Sequence, residues 1–475
     1  MGEAALGKWI AGREGGGGQA KTLFNRVALV LLMALGVVTG ASATVALRPP
    51  MGWNSWDAYG FTVDEAAFKA NAAIIAGMKR FGWSYAVIDE GWYMGNPLGA
   101  NLAARGYNLD GFGRLEPVVS HFPSAADRHG LKALADWTHA QGLKFGVHIV
   151  RGIPKAAVDA NLRIEGSRFR AADAADRNAL CPWDEGNYGV ADNAAGQAWY
   201  DGLLREYAGW GVDFLKVDCI ADHPYRPSEM RQIGEAIRKA GRPMVLSLSP
   251  GPARVANAAE MARSAQMWRI SDDLWDAWAF PHPDPSTEFP NGILSAFDRL
   301  ALWNEYAGPD RWPDADMLPF GSLRPHPGWG DPRQSRLTQE ETRTAFTLWA
   351  IARSPLILGS NLTEMAPWLQ TLLTTRDIIA LNQQKRTSRP IENLPASLAA
   401  ARVWVSTRNG MRKPDTVAVF NLGDVPLTAE ARWAELGLPE RRYEARELWT
   451  GEQRPTGSAL SLAIPPHGVA VWQVR

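Results

Sequence analysis

From about residue 49 to residue 385 the chain alternates between two periodicities. Short apolar runs at 51–56, 85–89, 143–149, 214–218, 244–248, 266–271 and 355–358 read as strands, and a weaker one falls at 312–318. Between them, at 63–81, 133–141, 196–210, 227–240, 252–262 and 340–352, apolar residues recur at helical spacing. Strand alternating with helix predicts a parallel sheet. Eight such repeats over roughly 340 residues predict an α/β fold, a (β/α)8 TIM barrel with long insertions. The long connections, at 90–130 and 150–193, hold Tyr93, Asp110, Trp183 and Asp184 and are expected to form a lid or pocket wall.

After about residue 388 the pattern changes to short β-rich runs at 402–406, 416–420, 443–447 and 469–474, separated by Gly, Pro, Asp and Asn. This predicts a small antiparallel β domain at 388–475, following a barrel at 44–387. Residues 1–43 read as an export signal. Lys21 and Arg26 precede an apolar run at 27–38 that is too short to span a bilayer, and Ala41-Ser42-Ala43 fits a cleavage site. The expected destination is periplasmic or extracellular; an uncleaved anchor is the alternative.

The run Phe214-Leu-Lys-Val-Asp218 carries two ionisable residues on an apolar strand. Alternation places Phe214, Lys216 and Asp218 on one face and Leu215, Val217 and Cys219 on the other. A barrel resolves the cost of burying that pair, because one strand face meets the helices and the other opens into a lumen. Lys216 is expected to hold Asp218 ionised through its adjacent positive charge. Cys181 and Cys219 could pair in an oxidising compartment, but the helix-facing parity of Cys219 reads as a buried free thiol.

Lys and Arg total 50 and so do Asp and Glu, which gives no electrostatic case for nucleic acid or for an anionic membrane. The 21 tryptophans, several of them beside Gly, Asp or Asn, suit the apolar C–H face of a sugar ring as well as a core.

Polar residues gather where strand runs end: Asp89 and Glu90, His148, Asp218, then Arg269, Ser271, Asp272 and Asp273, and finally Asp314 and Asp316. Barrel enzymes draw their chemistry from strand ends in this way. Several carboxylates with few other polar types suit glycoside hydrolysis, which needs one ionised and one protonated carboxyl. Asp218 is the candidate nucleophile, and parity leaves the acid open between Asp272 and Asp273. His148 reads equally as a satisfied barrel histidine or a ligand contact. A metal-dependent hydrolase would need a histidine cluster, and of 8 histidines only His148 is so placed. No metal and no cofactor are therefore expected, and the expected partner is an oligosaccharide or polysaccharide substrate. The alternative of a different class is a non-catalytic sugar-binding barrel.

The motifs Pro50-Met-Gly-Trp-Asn-Ser-Trp56, Ile88-Asp-Glu-Gly-Trp92, Phe214-Leu-Lys-Val-Asp218, Trp268-Arg-Ile-Ser-Asp-Asp273, Trp312-Pro-Asp-Ala-Asp-Met317 and Leu348-Trp-Ala-Ile351 before Ser354-Pro-Leu together resemble glycoside hydrolase family 27. This is the α-galactosidase and α-N-acetylgalactosaminidase family, and the chain is similar to its bacterial branch. The resemblance implies a barrel followed by a C-terminal antiparallel β-sandwich and a retaining double displacement. It matches Asp218 to the nucleophile and Asp273 to the acid/base, and it matches Trp56, Asp89, Glu90, Lys216, Arg269 and Asp316 to sugar-binding positions.

The chain departs from the family pattern in several places. Glu90 stands where the α-galactosidases carry aspartate, and its extra methylene would crowd a hydroxymethyl pocket, which favours a pentopyranose such as β-L-arabinopyranose. Ser249 falls where a Cys-Glu-Trp segment contacts the 2-position, so 2-hydroxyl recognition is expected to differ. His148 replaces a tyrosine, and Ile220 occupies the usual disulfide position. The expectation is a retaining exo-glycosidase, α-galactosidase first. β-L-arabinopyranosidase, isomaltose-releasing dextran hydrolase and α-N-acetylgalactosaminidase are the alternatives.

Overall fold

In the computed structural model, which describes residues 44–280, 289–323 and 331–475, the strand runs form one parallel sheet. Its strands are β1 (Met51–Asn54), β2 (Tyr85–Ile88), β3 (Lys144–Val150), β4 (Phe214–Asp218), β5 (Val245–Leu248), β6 (Met267–Arg269), β7 (Trp312–Asp314) and β8 (Leu356–Leu358). They lie in the order β7-β6-β5-β4-β3-β2-β1-β8. The ends of the sheet meet through Leu318, which bridges Leu358 in parallel and donates its amide to the Ile357 carbonyl at 2.8 Å, closing the barrel. The expected export signal at 1–43 lies outside the described residues.

Strand alternation sorts the side chains as the apolar pattern predicts. Tyr85, Val87, Phe214, Val245, Met267, Trp312 and Ile357 pack together inside the lumen and plug its floor, while Leu215 and Val217 pack against the helix layer. Gly146 on β3 leaves space for this plug, since a Cβ there would sit 2.8 Å from Val87 and 3.0 Å from Phe214. Above the plug the lumen turns polar, with Asn54, Lys216, Ser247, Ser249, Arg269, Asp314 and Asp316 lining a narrow cavity.

Helices α1 (Glu65–Met78), α2 (Lys132–Ala140), α3 (Ala194–Trp210), α4 (Pro227–Ala240), α5 (Ile293–Trp303) and α6 (Gln339–Ala352) surround the sheet. The helix expected at 252–262 is reduced to a 3-10 turn, Val255–Asn257, and one α turn, Ala258–Met261. Its first residues are used otherwise: the Ala253 amide bonds the Arg269 carbonyl, and a Cβ on Gly251 would sit 2.1 Å from the Ser271 carbonyl oxygen. The connection after β3 is not structureless. It folds into short helices and a three-stranded antiparallel patch of Ile153–Pro154, Ala175–Asp176 and Asn187–Val190.

The C-terminal strands are β9 (Arg386–Ile391), β10 (Ala401–Arg408), β11 (Thr416–Asn421), β12 (Leu427–Arg432), β13 (Tyr443–Glu447), β14 (Gln453–Thr456), β15 (Ala459–Ile464) and β16 (Val469–Val474). Six form an antiparallel sheet in the order β9-β10-β11-β16-β13-β14, and β12 pairs with β15. β11 is buried along its whole length. Ala418 and Phe420 join the barrel-side core, while Val417 and Val419 join the core of the sandwich. Helix α6 is buried on nearly all sides, with barrel and sandwich both packed on it, which accounts for its weak amphipathic pattern.

Candidate active site

Asp218 ends β4 at the lumen mouth, as alternation predicts, and two donors hold it. The Ser249 hydroxyl donates to Oδ1 at 2.6 Å and the Trp183 indole N–H donates to Oδ2 at 3.0 Å. Lys216 is not its hydrogen-bond partner. The ammonium bonds Asp89 Oδ2 at 2.8 Å, and Asn54 donates to the same oxygen at 2.6 Å. Burial opposes ionisation of Asp89, but His148 and Lys216 overcome it and hold the carboxyl well below the usual carboxylate range. The Lys216 charge therefore belongs first to Asp89 and acts on Asp218 through space.

Across the mouth Arg269, on β6, is the organising cation. Its Nη2 pairs with Asp316 at 2.8 Å and with Asp273 at 3.1 Å, and donates to the Ser271 carbonyl at 3.1 Å. β6 ends at Arg269, so Asp273 reaches the guanidinium on a loop and not by strand parity. Asp316, at a positive φ of 87°, also accepts the Leu274 amide at 2.8 Å, which fastens the β7 loop to the β6 loop. The Asp273 side chain keeps 39% of its surface exposed. Asp272 instead faces His223 at 3.7 Å, and burial pushes its carboxyl up.

The remaining predicted residues converge on the same mouth. Glu90 follows Asp89, and burial together with the charges of Asp184, Asp218 and Asp89 pushes its carboxyl well above the usual range. His148 is buried with Nε2 4.0 Å from Asp89, and its Nδ1 has no hydrogen-bond partner. Desolvation lowers its pKa against the opposing pull of Asp89. Trp56 opens the short helix Trp56–Tyr59 after β1, its ring edge-on to Phe61 at 5.2 Å.

Two residues absent from the expected sugar-binding and catalytic set also lie here. Asp57, beside Trp56, is buried and its pKa is raised, first by desolvation and then by Asp316. Gly359 makes its place, since a Cβ there would sit 1.9 Å from Asp57 Oδ2. Asp57 follows the end of β1, so the strand-end rule that singled out Asp89 would have found it. Trp183, expected on a lid or pocket wall and among the tryptophans suited to a sugar ring, touches Asp218 directly. Among its companions, Asp184 lies near Asp218 and accepts the Tyr107 hydroxyl at 2.8 Å, whereas Tyr93 is a buried core ring between Trp92 and Tyr107. Asp110 turns away to the side chain of Arg114.

The expected free thiol at Cys219 is corrected: Cys219 and Cys181 form a disulfide with Cα atoms 6.0 Å apart. Strand alternation does not extend to Cys219, because β4 stops at Asp218. Cys219 has a positive φ of 63°, which turns its side chain out of the strand alternation. This link joins the residue after Asp218 to the segment that carries Trp183.

Two family models match the chain. The alpha galactosidase A model covers residues 183–384, and the alpha galactosidase C-terminal beta sandwich domain covers residues 399–474. A curated relative, α-galactosidase A of Cellvibrio japonicus, is 29% identical across 94% of this chain and 98% of its own length. The α-N-acetylgalactosaminidase of Gallus gallus is 26% identical across 90% and 93%. Among solved structures, the β-L-arabinopyranosidase of Geobacillus stearothermophilus, a member of glycoside hydrolase family 27, superposes with a TM-score of 0.82. It is 38% identical, over 90% of this chain and 97% of that one. Identity at that level across nearly all of both chains reaches beyond a shared fold, and the chain is a glycoside hydrolase belonging to family 27.

Proposed function

We propose that the chain is a retaining exo-glycosidase that releases terminal α-D-galactosyl residues. The observation that carries this reading is the mouth itself: a carboxylate, Asp218, held by two donors, opposite an exposed carboxyl, Asp273, held by Arg269. The Asp218 carboxylate attacks the anomeric carbon and forms a glycosyl ester while Asp273 gives its proton to the departing oxygen. Asp273 then takes a proton from water, whose oxygen attacks the anomeric carbon, and Asp218 leaves as a carboxylate with the configuration retained. Asp89 and Asp316, fixed by Lys216 and Arg269, are placed to accept sugar hydroxyls, and His148 offers an unused nitrogen. Many of the curated relatives are α-galactosidases, which supports the choice of sugar.

One observation favours a second reading. β-L-Arabinopyranose has the ring stereochemistry of α-D-galactopyranose but lacks its hydroxymethyl group. Glu90 is one methylene longer than the aspartate of the α-galactosidases, which leaves less room for this group, and a structure 38% identical is a β-L-arabinopyranosidase. A panel of nitrophenyl α-galactoside, α-N-acetylgalactosaminide, β-L-arabinopyranoside and an isomaltose-type donor decides the matter. Turnover of the arabinopyranoside alone overturns the galactosidase reading. On whichever glycoside is cleaved, Asp218→Asn and Asp273→Asn are expected to lower kcat by about a thousandfold or more, with binding kept. Asp272→Asn should retain most activity; the reverse order for 272 and 273 reassigns the acid. We also propose export, supported by the basic and apolar pattern of 1–43 and by a disulfide suited to an oxidising compartment.

A further inference from the structure

Trp183 is a large aromatic residue with 45% of its surface exposed, yet the segment that carries it is among the most firmly anchored in the mouth. The disulfide ties Cys181, two residues earlier, to Cys219 beside Asp218. Arg151, only 1% exposed, then bridges the two sides of that link. Its Nε donates to the Cys219 carbonyl at 2.8 Å, and its two terminal nitrogens donate to the Ala179 and Leu180 carbonyls, each at 3.0 Å. Glu229 neutralises Arg151 at 2.9 Å and accepts the Tyr200 hydroxyl at 2.6 Å. A buried ion pair with all its hydrogen bonds made is a costly way to hold a surface ring unless the position of that ring matters.

The ring meets two partners. Its N–H is fixed on Asp218 Oδ2, and its edge lies against His223 with centroids 5.5 Å apart. His223 bonds Asp222 at 3.0 Å and stands 3.7 Å from Asp272, so carboxylates border this side of the aromatic pair. The inner side of Asp218 belongs to the polar lumen of Lys216, Ser249, Arg269 and Asp316. A glycoside bound there projects its departing half outward on the side of Asp273, whose neighbour Asp272 stands 3.7 Å from His223 of the exposed aromatic pair. A pyranose offers an apolar C–H face for an indole and hydroxyls for carboxylates at its edge.

We infer that Trp183, flanked by His223, is the platform for the departing sugar, so that the natural substrate is a glycoside whose leaving group is itself a pyranose. This inference rests on the glycosidase reading above. The platform also positions Asp218, because the ring that receives the leaving group supplies a hydrogen bond to the attacking carboxylate.

Glycosyl fluorides separate these two roles, because fluoride leaves without occupying a platform. kcat/KM is measured for the wild type, Trp183→Phe and Trp183→Ala on the α-galactosyl and β-L-arabinopyranosyl fluorides, on nitrophenyl glycosides, and on a disaccharide with the same terminal sugar. Circular dichroism confirms that each variant folds. Both variants should lose fluoride turnover to a similar degree, since both lack the N–H. The disaccharide-to-fluoride ratio should hold in Trp183→Phe and fall about fivefold to tenfold in Trp183→Ala. An unchanged ratio in Trp183→Ala overturns the platform while fluoride turnover leaves the glycosidase reading standing. A fall confined to the nitrophenyl glycoside overturns the sugar leaving group in favour of an aromatic one. A wild type that cleaves no glycosyl fluoride fails the glycosidase reading, and the platform with it.

Discussion

Asp218 carries its charge between a hydroxyl and an indole, and the hydroxyl is the nearer of the two. A hydrogen bond to a charged group is worth about 1.5–3 kcal/mol, so Ser249→Ala is expected to cost about 10- to 100-fold in kcat/KM. Acting through the proposed nucleophile, the loss should be equal for every sugar the enzyme accepts. A loss confined to sugars that differ at the 2-position would instead make Ser249 a sugar contact. At this scale the sequence was informative about place and less so about partners. Asp89, Asp218 and Asp316 stand at strand ends because a parallel barrel exposes only those ends, a rule that alternation makes visible. Which cation meets which carboxylate depends on the registers of neighbouring strands. Lys216 on β4 reaches Asp89, just past the end of β2, across the intervening β3 because the sheet curves, and no local pattern encodes that curvature. Trp183 comes from an insertion whose path is fixed by a disulfide, so periodicity carries no signal for its contact with Asp218.

Helix α3 shows what a strand-and-helix reading leaves out. It was recognised from its apolar stripe, and its boundaries, Ala194–Trp210, follow from Asn193 at the N-cap and Gly211 at the C-cap. Its polar edge nevertheless builds a partly buried charge cluster with the preceding loops, in which the buried Arg114 meets Asp110, Glu165 and Glu206. Burial outweighs the Arg114 charge at Glu206 and pushes its carboxyl up to about 8, while Glu116 nearby is raised to about 7. A carboxyl raised on folding binds its proton more tightly in the folded state. The stability it contributes is full below its ordinary value of 4.5 and is lost as pH rises through about 8. Glu206→Gln is therefore expected to flatten the fall in thermal midpoint between pH 5 and 8. A midpoint curve parallel to the wild type would show that Glu206 is not the titrating group. Other elements were missed for simpler reasons. β12, Leu-Thr-Ala-Glu-Ala-Arg, carries charged residues on a short edge, and α5 lies among loop-like residues that conceal its start.

At the scale of the molecule, barrel and sandwich meet on α6, and a histidine of the sandwich closes the joint. His467 stacks on Trp278 at 4.1 Å, its ring nitrogens lie 2.8 Å from Glu341 and 3.0 Å from Asp424, and its carbonyl accepts the Thr344 hydroxyl. Trp278 lies on the same loop as Asp273, five residues on, so the sandwich braces the loop that carries the candidate acid. His467→Ala should lower stability by about 1–3 kcal/mol, read as a lower melting temperature. Equal melting of variant and wild type would make this contact incidental. The division into an alternating segment and a β-only segment was legible, because the two hydrophobic periods differ. The joint was not, because it uses one histidine and a helix buried on nearly every side.

The link between Cys181 and Cys219 has a consequence for where the molecule can be made. Two thiols left unpaired would remove the covalent tie between Cys219, one residue from Asp218, and the segment bearing Trp183, leaving that segment to hydrogen bonds such as those from Arg151 and Tyr107. The state of a single sulfur–sulfur bond would then be a birthmark, telling an enzyme that matured in an oxidising compartment from one that folded where thiols stay reduced.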